Sequence, residues 1–194
     1  MDLFAAQPIT VVDDAEGGIR YWPDVLDPAT ADAWFQTLLH QTPWRSERRP
    51  MYDRVVDVPR QMAWFEVPGG PAALPLADML AVVQHRVPAP YTSVGLNLYR
   101  DGRDSVAMHN DKLHQLVAGQ PIALLSFGDP RRMLIKAKAA GSRSLSVELG
   151  HGSLLAMSHA SQITHEHGIP KSGKSLGPRI SAVYRVRPGG GSGQ

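Results

Sequence analysis

From residue 92 onward the chain alternates rather than cycles. TSVGLNLY, PIALLSFG, RRMLIKAK, SLSVELG, GSLLAMS and RISAVYRV are short runs, some alternating apolar with polar and some apolar throughout. Turn-forming residues divide them: Asp101-Gly102, Gly128-Asp129-Pro130, Ala140-Gly141 and Gly150-His151-Gly152. A period of two bounded by Gly, Asp and Pro predicts strands, and many short strands in succession predict an antiparallel sandwich or jelly roll. The first half has a different rhythm. Asp27-Pro28 ahead of ATADAWFQTLLHQ predicts a helix with Asp as N-cap and Pro at its first position, and Ala31, Trp34, Leu38 and Leu39 share its apolar face. PLADMLAVVQHRV at 75–87 predicts a second helix, stopped by Pro88 and Pro90. Between the helices, MYDRVVDVPRQMAWFEVPGG predicts strands or a hairpin at a sheet edge, because Pro59 removes a ladder donor.

These elements add up to an α+β protein, with N-terminal helices packed against a double-stranded β-helix (jelly roll) core. The 194 residues suit a single domain, expected over 1–188, with GGGSGQ at 189–194 as a flexible tail. Composition narrows the chemistry. The absence of cysteine excludes disulfides, thiolate zinc sites and cysteine nucleophiles, so any metal must be held by His and carboxylate. MDLFAAQPITVVDDAEGG has no basic n-region followed by an apolar stretch, and no run nears the ~18–20 apolar residues of a membrane span. A soluble, unprocessed, cytoplasmic monomer without an obligate protein partner or membrane contact is the expectation. A net charge of +2 does not by itself argue for nucleic acid. Two basic stretches are either solvated faces or phosphate contacts: Arg45, Arg48, Arg49, Arg54 and Arg60, then Arg131, Arg132, Lys136, Lys138 and Arg143.

Candidate chemistry starts at MHNDKLH, residues 108–114. In an extended chain the side chains of His109 and Asp111 leave the same face and can bind one ion together. The downstream THEHGIP offers His165 and His167, and either completes a facial triad of two His and one carboxylate. Such a triad leaves positions open and suits non-haem Fe(II), whereas zinc tends toward four-coordination. On the last strand Arg179, Ser181, Val183 and Arg185 share a face by period two. Two arginines on an otherwise apolar strand are costly to bury unless they meet anions, and a dicarboxylate such as 2-oxoglutarate supplies two. Asn97 and Tyr99 share a face of the strand near residue 95 and can donate to the same ligand.

The ordered segments VPRQMAWF, NLYRDGRDSVAMHND, PIALLSFGDPRRMLI, HGSLLAMS, HEHGIP and RISAVYR, spanning residues 57–187, resemble the AlkB family of Fe(II)/2-oxoglutarate-dependent dioxygenases. The resemblance implies that His109, Asp111 and His167 ligate iron, His167 because the family's ligand His stands just ahead of a short apolar residue and proline. It implies that Arg185 binds the distal carboxylate of 2-oxoglutarate, Arg179 lies near the metal-end carboxylate, and Asn97, Tyr99 and Ser181 give supporting contacts. Ser181 stands where the family often has Asn, so that hydrogen bond is expected to be shorter or lost. The implied reaction consumes O2 and 2-oxoglutarate, removes an alkyl group from nitrogen as an aldehyde, and releases succinate and CO2.

For the substrate, the resemblance implies a lid at about 45–68 in which Tyr52, Arg60 and Trp64 stack on a base or contact phosphate. Alkylated DNA or RNA is the expected partner. Leu113 departs from the pattern: members that repair DNA often carry an acidic residue two positions after the ligand Asp. A protein or small-molecule substrate is the alternative.

Overall fold

The computed structural model describes residues 7–51 and 54–189, and the two rhythms of the sequence become two kinds of layer. Helix α1 (Pro28–Gln41) begins as its cap requires, with the Asp27 carboxylate accepting the Thr30 N–H at 3.0 Å. Ala31 and Leu38 are buried, while Trp34 and Leu39 pack at the margin of the core. Helix α2 (Leu76–Arg86) buries Leu76, Met79, Leu80 and Val83, the spacing of one helical face.

Strands β1 (Ile9–Val12) and β2 (Ile19–Trp22) precede α1, while β3 (Arg45–Met51) and β4 (Arg54–Glu66) lie between the helices. After α2 come β5 (Ser93–Tyr99), β6 (Val106–His109), β7 (Ile122–Gly128), β8 (Arg131–Ala137), β9 (Ser144–Leu149) and β10 (Ser153–Met157). A short helix α3 (His159–Thr164) then leads directly into β11 (His165–Ile169), and β12 (Arg179–Arg185) ends the fold. Eight strands make one antiparallel sheet in the order β1-β2-β10-β7-β12-β5-β4-β3. Four make a second, β6-β11-β8-β9.

The period of two decides what each face of the large sheet meets. Val94, Leu96 and Leu98 of β5, Leu125 and Phe127 of β7, and Ala182 and Tyr184 of β12 point to the helices, joining Leu38, Met79 and Val83 in one core. Alternate residues, Tyr99, Leu124 and Val183, point to the small sheet and meet Met133, Ile135, Val147 and Leu149. Each such aliphatic side chain contributes roughly 1.5–3 kcal/mol on leaving water. The large sheet is therefore sandwiched, and its inner face against the small sheet is the jelly-roll interior.

Gly128 closes β7 at φ +84°, where a Cβ would lie 2.2 Å from the Pro178 carbonyl oxygen and against the Phe35 ring. This bare backbone lets the approach to β12 cross the end of β7, which sets where Arg179 begins. The β3–β4 hairpin occupies most of the segment expected to form a lid, with β3 at the sheet edge.

Candidate metal centre and co-substrate cleft

Strands β6 and β11 are neighbours in the small sheet, and His109 stands directly opposite His167. Their ring centroids are 4.6 Å apart, with planes inclined by 49°. Nδ1 of His109 lies 2.8 Å from the Ala107 carbonyl oxygen. A carbonyl only accepts, so Nδ1 carries the proton and Nε2 keeps its lone pair for a metal. After His167 the backbone is bare: a Cβ on Gly168 would come within 2.9 Å of the Val106 carbonyl oxygen, so β6 lies close against β11 here. Burial, then the neighbouring His109, push the His167 imidazole down to about 4, against the opposite pull of Asp111. At neutral pH it is uncharged, as a ligand must be.

Asp111 follows two residues after His109, and Arg185 grips its carboxylate. Nε donates to Oδ2 at 2.6 Å and Nη2 to Oδ1 at 3.2 Å. Burial pushes the carboxyl up, but the Arg185 charge and hydrogen bonds, with His167 and His109, outweigh it and hold Asp111 below the usual carboxylate range. Its backbone N–H donates to Oε1 of the buried Gln162 at 3.0 Å. With the carboxylate turned to Arg185, no three His, Asp or Glu side chains among the described residues converge as a finished metal cage. The donor set still suits Fe(II), since two carboxylate oxygens offer more lone pairs than one guanidinium fork uses.

The inner face of β12 carries Arg179, Ser181, Val183 and Arg185 opposite Tyr99, Asn97, Gly95 and Ser93 of β5. The two arginines lean toward each other. Arg185 reaches back toward the Val183 carbonyl, its Nη1 lying 3.5 Å from where a Gly95 Cβ would stand. Arg179 reaches forward, its Nε donating to Ser126 Oγ at 3.1 Å, beside the rung that pairs Ser126 with Ser181. The interval from rung 181 to rung 183 is about 7 Å of extended strand, the span of a five-carbon dicarboxylate. Arg179 is 1% exposed, and its Nη2 has no hydrogen-bond partner among the described residues. Burial pushes this guanidinium down to about 10, with Tyr99 opposing and Arg131 adding to the shift. An unsatisfied buried guanidinium nitrogen is expensive, and a carboxylate is the group that removes the cost.

This geometry reverses one expectation. Arg185, held against Asp111, stands at the end of the β12 face that meets the candidate ligands, and the buried Arg179 lies at the other end. Periodicity placed both on one face but carried no information about which end met the histidines, because β6 and β11 belong to the other sheet. Asn97 and Tyr99 share this face with the arginines: Asn97 Nδ2 reaches Ser181 Oγ at 3.4 Å, and Arg179 lies 5.1 Å from the centroid of the Tyr99 ring.

Arg60 is drawn into the site, with Nε donating to Asn97 Oδ1 at 2.9 Å. Trp64 pairs with Gly95, so it shares the face of the cleft, and at 51% exposed it is not core packing. Tyr52 lies outside the described residues. His165 turns its Nδ1 to the neighbouring Thr164 hydroxyl at 2.8 Å, and no contact joins it to His109 among the described residues. Arg131, grouped by sequence with a basic stretch, is 2% exposed and binds the carbonyls of Asp101, Asp104 and Pro170. His151 is structural: it accepts the Gly128 N–H at 2.9 Å beside Phe35 and Phe127. Sequence reasoning missed Gln162, which lies between the recognised segments, and the roles of Ser126 and Arg131, which lie within PIALLSFGDPRRMLI but were read there only as strand and basic-stretch residues.

Three comparisons bear on this arrangement. A family model described as the 2OG-Fe(II) oxygenase superfamily matches residues 18–187. The alpha-ketoglutarate-dependent dioxygenase alkB homolog 3 of Bos taurus is 30% identical over 183 residues, covering 84% of this chain and 64% of that protein. The DNA oxidative demethylase ALKBH2 of Bos taurus is 36% identical over 102 residues, 49% of this chain and 37% of that protein. The chain thus spans less than two thirds of the length of these relatives. The solved structure of OsALKBH1 shares the fold, with a TM-score of 0.63 over 87% of this chain and 97% of that one at 15% identity. A histidine pair on one rung, a neighbouring carboxylate and a two-arginine cleft agree with that match, and the chain belongs to the 2OG-Fe(II) oxygenase superfamily and, within it, to the AlkB family.

Proposed function

We propose that this chain is a 2-oxoglutarate-dependent oxidative demethylase of N-alkylated bases in nucleic acid, with His109, Asp111 and His167 as its iron ligands. The superfamily requires Fe(II), 2-oxoglutarate and O2. Together these supply oxidation of the C–H bond next to nitrogen, with loss of succinate, CO2 and an aldehyde. The chain's own residues supply the rest. The observation that carries the reading is the pair of arginines on one face of β12: Arg185 bound to Asp111 beside the histidine pair, and the buried, unpartnered Arg179 nitrogen further along the same face. Arg179, Ser181, Asn97 and Tyr99 would hold the far carboxylate of the co-substrate, and Arg185 would neutralise the near one, which is next to the keto group. Trp64, exposed on the same face opposite Gly95, would offer a ring for a flipped base, and Arg60, bound to Asn97, a cation.

Leu113, 38% exposed on a turn two residues after Asp111, supports a second reading. An apolar contact in place of a carboxylate gives a cationic base no partner there, so a neutral lesion or a protein or small-molecule substrate fits that side of the mouth.

One experiment separates these. The protein is loaded anaerobically with Fe(II) and 2-oxoglutarate, then exposed to O2 with methylated single- and double-stranded DNA and RNA, and succinate and formaldehyde are followed. Formaldehyde in step with succinate on one of these polymers is expected, lost in His167→Ala and kept in His165→Ala. Succinate without formaldehyde on every polymer favours the second reading. Loss in His165→Ala with retention in His167→Ala would sink the ligand assignment.

A further inference from the structure

We infer that Gln162 is a positioning residue for the proposed metal site, tying the backbone at Asp111 to the helix that leads into the His167 strand. The inference rests on the ligand reading above.

The two halves of the candidate triad lie on different stretches of chain: His109 and Asp111 at the end of β6, His167 on β11. The histidines are registered by the β6–β11 ladder, but Asp111 lies beyond the last β6 residue and outside that ladder. Its backbone N–H is instead taken by Gln162 Oε1 at 3.0 Å. Gln162 is 1% exposed, and its Nε2 finds only weak partners, Met157 Sδ at 3.7 Å and Ser161 Oγ at 3.4 Å. A buried amide side chain whose one good hydrogen bond goes to the backbone of a ligand residue is placed for that bond.

Gln162 can act as a fixed point because α3 is braced at both ends. Ser158 caps it, accepting the Ser161 N–H at 2.9 Å and donating to Asp14 Oδ2 at 2.6 Å. Glu16 Oε2 accepts the Ala160 N–H at 2.7 Å, and Ser158 N–H bonds the Gly18 carbonyl at 2.9 Å. At the other end Lys138 donates its backbone N–H to Thr164 O at 2.9 Å and its Nζ to Gln162 O at 3.2 Å. The helix runs straight into β11, so Gln162 and His167 are five residues apart on one rigid piece. A chain of hydrogen bonds thus leads from the N-terminal turn through α3 to the aspartate.

The test measures Co(II) binding to the full chain by its visible bands, alongside unfolding of the metal-free protein. Gln162→Leu keeps the volume and deletes the acceptor. Outer-shell partners of ligands are typically worth about 10–100-fold in metal affinity, and a loss of that size with altered Co(II) bands is expected. Gln162→Glu keeps an acceptor at the same reach and should retain most of the affinity. A residue that only stabilised the fold would lower the unfolding midpoint while leaving affinity and bands of the folded protein as in wild type, and that result overturns the inference. Should Gln162→Leu not fold, Gln162→Asn, too short to reach Asp111, is measured instead, and wild-type affinity there is equally fatal. His167→Ala separates the two levels. If it binds Co(II) like wild type, or wild type binds none, the ligand reading fails and takes the inference with it. If it abolishes binding while Gln162→Leu changes nothing, only the inference fails.

Discussion

Arg179 is the residue whose surroundings make least sense without a ligand. A guanidinium at 1% exposure with one nitrogen unpartnered is a standing cost to the fold, held in place by the core around it. Arg179→Leu should therefore separate two quantities that core substitutions usually move together. The KM for 2-oxoglutarate should rise at least thirtyfold, from the ~2–5 kcal/mol lost on truncating one partner of a buried charge pair. The thermal midpoint of the ligand-free protein should not fall. A lowered midpoint with unchanged KM would remove Arg179 from the cleft. Asp104 makes the opposite case, a carboxylate that is already fully used. It accepts from Arg100 N–H, Nε and Nη2 at 2.8, 2.8 and 2.9 Å, and these bonds outweigh burial to hold it below its ordinary 3.8. A lowered folded value means stability present above pH 3.8 and lost as pH falls below it. Asp104→Asn should cost about 2 kcal/mol at pH 7 in urea unfolding, the scale of hydrogen bonds to a charged group, and the gap from wild type should close below pH 3.8.

At the scale of elements, the turn after β7 controls where β12 starts. Gly128→Ala combines a left-handed backbone with a Cβ 2.2 Å from a carbonyl oxygen, so a loss of about 3 kcal/mol is expected in chemical denaturation, together with weaker 2-oxoglutarate binding as Arg179 is displaced. Legibility divides along the same lines. Both long helices and six of the eight later strands were readable because each showed a period or an apolar run with turn or cap signals at its ends, Asp27-Pro28 for α1 and Gly128-Asp129-Pro130 for the end of β7, whereas β6 and β11, four and five residues long, were not. Strand β1, four residues with two of them exposed, and helix α3, six residues long, are too short to show a period. The site was readable wherever its residues sat on one strand face, as with Arg179, Ser181 and Arg185. It was not readable where two sheets had to be brought together, which is why the order of the arginines came out reversed and Gln162 escaped notice. Trp64 shows a related limit of periodicity: an aromatic on an edge-proximal strand has the same pattern whether it faces the core or the opening, and only the pairing with Gly95 decides.

For the molecule as a whole, the helices and the small sheet take opposite faces of the large sheet, so the interior can carry charge without weakening the helical core. Val94, Leu96 and Leu98 keep one face apolar while Tyr99 and Asn97 serve the other. A ligand that binds inside should consequently stabilise the entire fold. At 2-oxoglutarate a hundredfold above its Kd, linkage gives about 2.7 kcal/mol, which for a chain of this size is a rise of roughly 5–11 °C in the unfolding midpoint. Differential scanning fluorimetry with Mn(II) in place of iron measures it, and the rise should vanish in Arg179→Leu. No helix among the described residues is long and apolar enough to cross a membrane.

The rung that sets His109 opposite His167 has a bearing on how such a protein can change over time. Two imidazoles fastened to adjacent strands by main-chain hydrogen bonds owe their spacing to the ladder, not to the segments that enter and leave it. With Asp111 held separately by Arg185 and Gln162, the stretches at 112–121 and 171–178 can then lengthen, shorten or exchange residues, Leu113 among them, while the pair stays in register. Variation in what the mouth admits is thereby uncoupled from the oxidising centre, and descendants of one ancestral barrel can trade substrates without rebuilding their chemistry.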